Sequence, residues 1–497
     1  MGSNELAASG EKMKQLQPWY WRSLPLESRT GSEVFDCLFR NTSAIATLLE
    51  SPYPTPQDQP QLAQYSICAG SPRILDGCLQ LWTPSVGEIL PFLRRLLSSR
   101  GDGERGRWGD GEKFFPPPHL PFTGGWLGWL GYDFAWEIEQ LPRLRNDPLP
   151  FPVAFWYEPA AFAVLDHFQQ TLWLAATDEA ELDQLHQRIE QSSPSAKELQ
   201  ISKLKVESSN LQPSNLQSYS LFLTSQADYE AAVVQAKKYI QAGDIFQANL
   251  SVRFETATRA ESWAIYRALQ RINPSPMSSY WQTPWGDVIS CSPERLVHLQ
   301  GRQAQTRPIA GTRSRGATPA FDQKLAQELI ANVKERAEHI MLVDLERNDL
   351  GRVCEWGSVE VNELFAIERY SHVMHLVSNV TGTLRADCDA VDLIRALFPG
   401  GTITGCPKVR CLEIIEELES VRRSLFYGSC GYLDQRGNLD LNILIRTLLY
   451  RGEATGVNSV WGQVGAGIVA DSNPEKEWYE SLHKAQAQLA ALNILSF

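Results

Sequence analysis

A chain of 497 residues with 43% hydrophobic and 21% charged residues has the composition of an ordinary globular protein with a sizeable core, enough for roughly two to four domains or one large elaborated one. Its net charge of −12 argues against a nucleic-acid or anionic-membrane partner, so an anionic substrate would have to be held by local Arg and Lys, a metal or helix N-termini. The absence of a long apolar run and of an apolar signal core, with nine cysteines and no C-x-x-C, predicts a reduced cytoplasmic protein.

Residues 1–18 are polar and are expected to be disordered. From Trp19 the chain becomes structured. AIATLLES (44–51) reads as a strand or short helix ahead of the Pro-rich break YPTPQDQP, QYSICAG and SPRILDG as short strands, and VGEILPFLRRLLSS (86–99) as a helix with its basic residues outward. GDGERGRWGDGEKFFPPP (101–118) has the Gly, Pro and charge of an exposed loop. The Gly-rich apolar stretch at 121–139 predicts close backbone packing, and two strands and an acidic helix at 178–190 follow.

The Ser, Gln, Lys, Asn and Pro content of 191–222 marks a linker between an N-terminal region (19–190) and a second region (223–495). Beyond it, ADYEAAVVQAKKYIQAGD is a helix with Gly243 near its end, IFQANLSVRFE a strand, SWAIYRALQRI a helix and DVISCSPERLVHL a strand. Several strand pairs lack a helix between them, as in YGSCGYLDQRGNLDLNILIRTLLY. The expected class is therefore α+β, with largely antiparallel sheets and helices on their outsides.

KERAEHIMLVDLERND (334–349) reads as a helix carrying Glu335 and Glu338 on neighbouring points of one face, which suits either a solvated surface or ligation of a hard divalent cation. A second such pair, Glu477 and Glu480, follows the helix start SNP at 472–474 and lies off the apolar stripe of Trp478, Leu482, Ala485, Leu489 and Leu492. If the four acids converge they require a cation, and Mg²⁺ is the natural one. FPGGTITGCPKVRCLEII (398–415) offers backbone N–H groups, Thr402, Thr404 and Lys408 to an anion at a helix start, although a Gly-rich corner also serves packing alone. His372 and His375 lie in an apolar strand, either as core residues or as an acid or base. Arg307, Arg313, Arg315 and Arg446 could fork onto a carboxylate or lie at the surface, and Glu294 in SPERL could be a turn residue or an acid.

Taken in order, GDIFQANLSVRF, SCSPERL, RPIAGTRSRG, KERAEHIMLVDLERNDLGRV, ERYSHVMHLVSNVTG, FPGGTITGCPKVR and GAGIVADSNPEKEWYE resemble the chorismate-utilising enzymes: the first components of anthranilate and aminodeoxychorismate synthases, and the isochorismate and salicylate synthases. The resemblance spans about 225–492 and is weaker through LLES, QYSI and PFTGGWLGWLGYD. It implies an anthranilate-synthase-like fold of two packed sheets, with Mg²⁺ at Glu335, Glu338, Glu477 and Glu480. It also implies that Thr402, Arg446 and a Gly465–Ala466–Gly467 turn hold the substrate carboxylates. Glu294 and His375 match acid and base positions, and Thr402 and Lys408 are counted with them as catalytic.

Asn249 and the Gly400–Gly401 pair resemble aminodeoxychorismate synthases, whereas Ala310 stands where some of those enzymes carry a nucleophilic lysine. The expected reaction is amination of chorismate to 4-amino-4-deoxychorismate, with ammonia from a separate glutamine amidotransferase subunit, because no amidotransferase Cys motif with a downstream His-x-Glu is present. The alternatives are anthranilate formation, compatible with Ala310 and with LLES, and a non-catalytic regulatory homologue. Met277 stands where enzymes with a tryptophan site usually place Tyr, and Ala248 lies in the motif that supplies the water-activating lysine of isochorismate synthases.

Overall fold

The computed structural model describes residues 19–52, 63–98, 119–192, 221–370 and 373–493. The expected disorder at 1–18, the break at 53–60, the loop at 101–118 and nearly all of the linker lie outside the described residues.

Local signals place the main elements. Ser225 caps the helix Gln226–Ala242, which Gly243 ends at a φ of 82°. SWAIYRALQRI forms the helix Ser262–Ile272, with Ile265, Tyr266, Ala268 and Leu269 buried. AIATLLES resolves as a strand, Ala46–Glu50. SPRILDG yields only the two-residue strand Ile74–Leu75, paired with Cys78–Leu79.

The strands assemble into two large sheets in which every pairing is antiparallel. The first has 11 strands, in the order Tyr20–Pro25, Thr171–Ala176, Ala161–Asp166, Tyr65–Ala69, Ala46–Glu50, Met277–Gln282, Asp287–Ser292, Thr447–Arg451, Asn458–Ile468, Gln247–Thr258 and Gly405–Cys406. The second runs from Ile309–Ser314 through Val373–Thr383, Gln303–Arg307, Arg295–Gln300, Leu439–Asn442 and Ser429–Asp434 to Gly125–Leu130, Ala154–Tyr157 and Leu81–Trp82. Both draw strands from either side of 191–222.

Alternation along the strands divides the core in two. Trp129, Phe155, Phe162 and Trp281 belong to an apolar cluster built by both sheets, whereas Leu48, Leu165, Leu250 and Val464 pack from the other face of the first sheet onto the helices. The helix Pro474–Asn493 lies there through Trp478, Leu482, Ala485, Leu489 and Leu492, the stripe its spacing predicts. Residues Ala326 and Leu329 of the helix Pro319–Ala331 pack against Met374 and Leu376 of the second sheet. The fold is thus α+β, with helices outside two antiparallel sheets. None of the helices among the described residues is long and apolar enough to cross a membrane.

Candidate active site

The first acid pair opens the helix Val333–Gly351, where Asn332 caps the N-terminus by accepting from the Glu335 N–H at 3.1 Å. Glu335 therefore sits at the positive end of the helix dipole. Its Oε1 accepts from Arg313 at 2.6 Å, and its Oε2 is buried without a partner. The room for that oxygen comes from Gly311, a bulge residue at φ +70° in the strand Ile309–Ser314, whose missing Cβ would lie 2.4 Å from it.

One turn on, burial raises the Glu338 pKa, Lys334 opposes that shift, and Asp471, Glu335 and Glu480 add to it. The second pair lies in the first turns of Pro474–Asn493. Burial also raises the pKa of Glu477, with a hydrogen bond from Ser472 opposing and the charge of Glu480 adding. Glu480 is exposed and pairs with Lys484 at 3.0 Å, and Lys484 also donates to the Gly465 carbonyl at 3.0 Å.

The two pairs thus lie within electrostatic reach of one another, with Lys334 bridging the helices through Asp471 at 3.0 Å. Among the described residues no three His, Cys, Asp or Glu side chains are drawn together closely enough to hold an ion. In chemistry the four acids would suit a hard divalent cation: each offers carboxylate oxygens, two of them are partly desolvated, and one oxygen has no partner.

The second group of residues surrounds Glu294, which follows the strand Asp287–Ser292 and is buried. Its Oε1 accepts from the Ile309 N–H at 3.4 Å. Desolvation raises its pKa to about 7 and the charge of Glu346 adds to this, while Thr402, the Ile309 N–H and Arg446 favour ionisation. Thr402 belongs to the short 3-10 turn Gly401–Ile403. Its hydroxyl lies beside Glu294 but outside good hydrogen-bond geometry, and so remains a buried oxygen without a partner.

Arg446 adopts a left-handed backbone (φ 50°), unusual for a residue with a side chain and characteristic of functional sites. Its guanidinium donates to Asn273 Oδ1 at 3.1 Å and to His375 Nε2 at 3.5 Å, and no carboxylate among the described residues lies within ion-pairing distance. Burial lowers its pKa. Burial and the facing Arg446 charge bring His375 down to about 3, so the imidazole is neutral near pH 7. Its Nδ1 shares a proton with Thr312 Oγ1 at 2.9 Å.

Other expectations change. Lys408 is not a free anion holder: as the first residue of the helix Lys408–Leu418 it is tied to Asp349 at 2.6 Å and to the Leu397 carbonyl at 2.8 Å. Gly465, Ala466 and Gly467 form no turn but continue the strand Asn458–Ile468, beside Gln247–Thr258. A Cβ at Gly465 would lie 2.4 Å from the Leu250 carbonyl, so the glycines there serve close strand approach. His372 lies outside the described residues.

Sequence reasoning passed over Asn273, Thr312, Gly311 and the buried pair Arg423–Glu419. Arg423 donates to the carbonyls of Ile403 at 2.8 Å and Asn249 at 2.6 Å, thereby fixing the Thr402 turn against the strand. The only local signal for any of these is the glycine in PIAGT. Away from these residues, a cavity of about 770 Å³ is lined by Glu50, Ser51, Pro276 and Met277 among others. Glu50 itself accepts from the Ser32 N–H and hydroxyl, Tyr266 and Gln270 at 2.6–2.9 Å.

Residues 98–490 match the family model described as chorismate binding enzyme. The chain is 59% identical over 493 residues to the "Anthranilate synthase component I-like protein" of Synechocystis sp., covering 99% of this chain and 95% of the relative. It is 46% identical over 381 residues to aminodeoxychorismate synthase component 1 of Bacillus subtilis, covering 75% and 78%. The crystal structure of anthranilate synthase component I from Streptococcus pneumoniae superposes with a TM-score of 0.66 at 29% identity, covering 86% of this chain and 92% of that one.

Proposed function

Given that the chain belongs to the chorismate-binding enzyme family, we propose that it is an aminodeoxychorismate synthase component I, converting chorismate to 4-amino-4-deoxychorismate in the cytoplasm for 4-aminobenzoate and folate synthesis. Ammonia is delivered by a separate glutamine amidotransferase subunit, and the reaction depends on Mg²⁺.

The observation that carries the chemistry is a desolvated carboxyl, Glu294, beside a guanidinium without a carboxylate partner, Arg446. Chorismate is a dianion, and Arg446 suits one of its carboxylates as a two-pronged donor that gains the counter-ion it lacks. Asn273 and His375 aim the guanidinium.

Near pH 7 a fraction of Glu294 holds its proton, which it gives to the allylic 4-hydroxyl as that group leaves. Thr402 and Ile309 N–H stabilise the carboxylate that remains. His375, neutral with Nδ1 against Thr312 and Nε2 accepting from Arg446, holds the guanidinium in place and is too weakly basic to take up a proton near pH 7. Lys408 acts at a distance: its charge favours ionised Glu346, a buried carboxyl that accepts from Thr306 and the Gly401 N–H behind the Thr402 turn. Glu335, Glu338, Glu477 and Glu480 would hold Mg²⁺, which when bound offsets the charge of the ring carboxylate and draws electrons towards it.

Asn249, Gly400 and Gly401 support the 4-amino product, as does the 46% identity to the B. subtilis enzyme. A second reading, release of pyruvate to give anthranilate, is favoured by Ala310, by the LLES motif beside the 770 Å³ cavity and by the name of the 59% relative. Incubation of the pure chain with chorismate, Mg²⁺ and ammonium separates them. Pyruvate and fluorescent anthranilate would overturn the proposal, and no turnover even with a glutaminase partner would favour a non-catalytic homologue.

A further inference from the structure

The four acids proposed to hold Mg²⁺ do not face one another unopposed. Glu335 Oε1 accepts from Arg313 Nη2 at 2.6 Å, Glu480 pairs with Lys484 at 3.0 Å, and Glu338 lies 3.9 Å from Lys334. Glu477 has the Ser472 hydroxyl instead. Three bases thus stand against four acids, and each draws its own acid aside. This accounts for the finding that, among the described residues, no three carboxyl groups converge.

Each base also holds a second acceptor outside the acid set. Arg313 Nη1 donates to the Thr312 carbonyl at 2.9 Å, Lys334 pairs with Asp471 at 3.0 Å, and Lys484 donates to the Gly465 carbonyl at 3.0 Å. A base with two acceptors can give up one and keep the other. Arg313 is also about one-third exposed, and Lys334 and Lys484 about half, so a released charge is readily solvated.

The acids are less well served by water. Glu335 Oε2 is buried without a partner, in room that Gly311 leaves open. A divalent cation on that oxygen would sit one carboxylate away from the Arg313 guanidinium, and like charges so close repel strongly where both are partly desolvated. Cation and guanidinium therefore compete for Glu335.

We propose that Arg313, Lys334 and Lys484 are internal counter-ions that compete with the divalent cation for the acids and so set its affinity, each falling back on its second acceptor when the cation binds. This assignment rests on the reading that Glu335, Glu338, Glu477 and Glu480 hold Mg²⁺. The three bases are positioning residues, acting through the acids.

The test titrates MgCl₂ into the full chain by calorimetry at constant ionic strength, comparing Arg313→Gln and Lys334→Gln with wild type. The Kd for Mg²⁺ is expected to fall about three- to tenfold in each. In chelator, Arg313→Gln should melt below wild type, because Glu335 has lost its counter-ion, and saturating MgCl₂ should close the gap. Arg313→Lys keeps the charge and should return the Kd towards that of wild type. Arg336→Gln removes an equal charge beside Glu335 from a residue that stacks on Phe365 at 4.9 Å, and should leave the Kd within about twofold.

Unchanged or weaker Mg²⁺ binding in both Gln variants would overturn the counter-ion assignment and leave the metal site standing. An Arg336→Gln effect as large as that of Arg313→Gln would overturn it too, by showing a general field rather than competition for the acids. A wild type that gives neither heat nor a melting shift with MgCl₂ would overturn the Mg²⁺ reading itself, and the competition with it. Should Arg313→Gln fail to fold, Lys334→Gln carries the same expectation.

Discussion

At Glu294 burial works against stability and for chemistry. Its folded pKa of about 7 exceeds the ordinary 4.5, so its proton is bound more tightly in the folded chain. Stability from this group is fully present below pH 4.5 and is lost as pH rises through about 7. Glu294→Gln should therefore lower kcat by about 10²–10⁴-fold. Yet its melting temperature should exceed that of wild type above pH 7 and equal it near pH 4.5, as thermal melts across pH would show. With free ammonia saturating, kcat should fall as pH rises through about 7. No histidine limb should appear between pH 5 and 8, because His375 titrates near 3. Arg446→Met should abolish chorismate-induced thermal stabilisation without destabilising the ligand-free protein, since the buried guanidinium has no anion to lose. Glu294 and His375 were legible as candidates because each stands in a motif, SCSPERL and ERYSHVMHLVSNVTG, and Arg446 because a forked guanidinium suits a carboxylate. Asn273 and Thr312 were not, because they reach these residues only through tertiary contacts from 173 and 63 residues away.

Among the elements, the helices Val333–Gly351 and Pro474–Asn493 bring like charges together at their N-terminal turns. The raised pKa values of Glu338 and Glu477 mark that repulsion together with burial. Glu338→Gln should raise the melting temperature in chelator and reduce the further rise produced by MgCl₂. An unaltered response to MgCl₂ would remove Glu338 from the proposed ligand set. The periodicity of these helices and the spacing of their acids could be read directly from the chain. What periodicity could not supply was what lies opposite: Arg313 clamps Glu335, Asp349 captures Lys408, and the GAG stretch stays extended because Gln247–Thr258 pairs along its length. The buried Arg423–Glu419 pair is a further example, since neither residue falls in a recognisable motif. Glu419→Gln leaves Arg423 buried without its counter-ion and should cost about 3–5 kcal/mol in urea unfolding.

On the scale of the whole molecule, the α+β class followed from strand pairs without intervening helices, but the strand order did not. Sequence proximity suggests that regions 19–190 and 223–495 each build their own sheet. Instead Ala46–Glu50 pairs with Met277–Gln282, and Gly125–Leu130 pairs with Ser429–Asp434. A protease cut within 193–220 should therefore leave two fragments that co-elute, and residues 223–497 expressed alone should not fold cooperatively. The candidate site residues Glu294, Thr402 and Arg446, by contrast, all come from the second region, on segments more than 150 residues apart in all. The central claim is that these groups replace the 4-hydroxyl of chorismate with an amine. Mass spectrometry of the product formed from chorismate, Mg²⁺ and nitrogen-15 ammonium tests it most directly. A labelled amine on a ring that keeps its enolpyruvyl group is the predicted result, and labelled anthranilate with free pyruvate would contradict it.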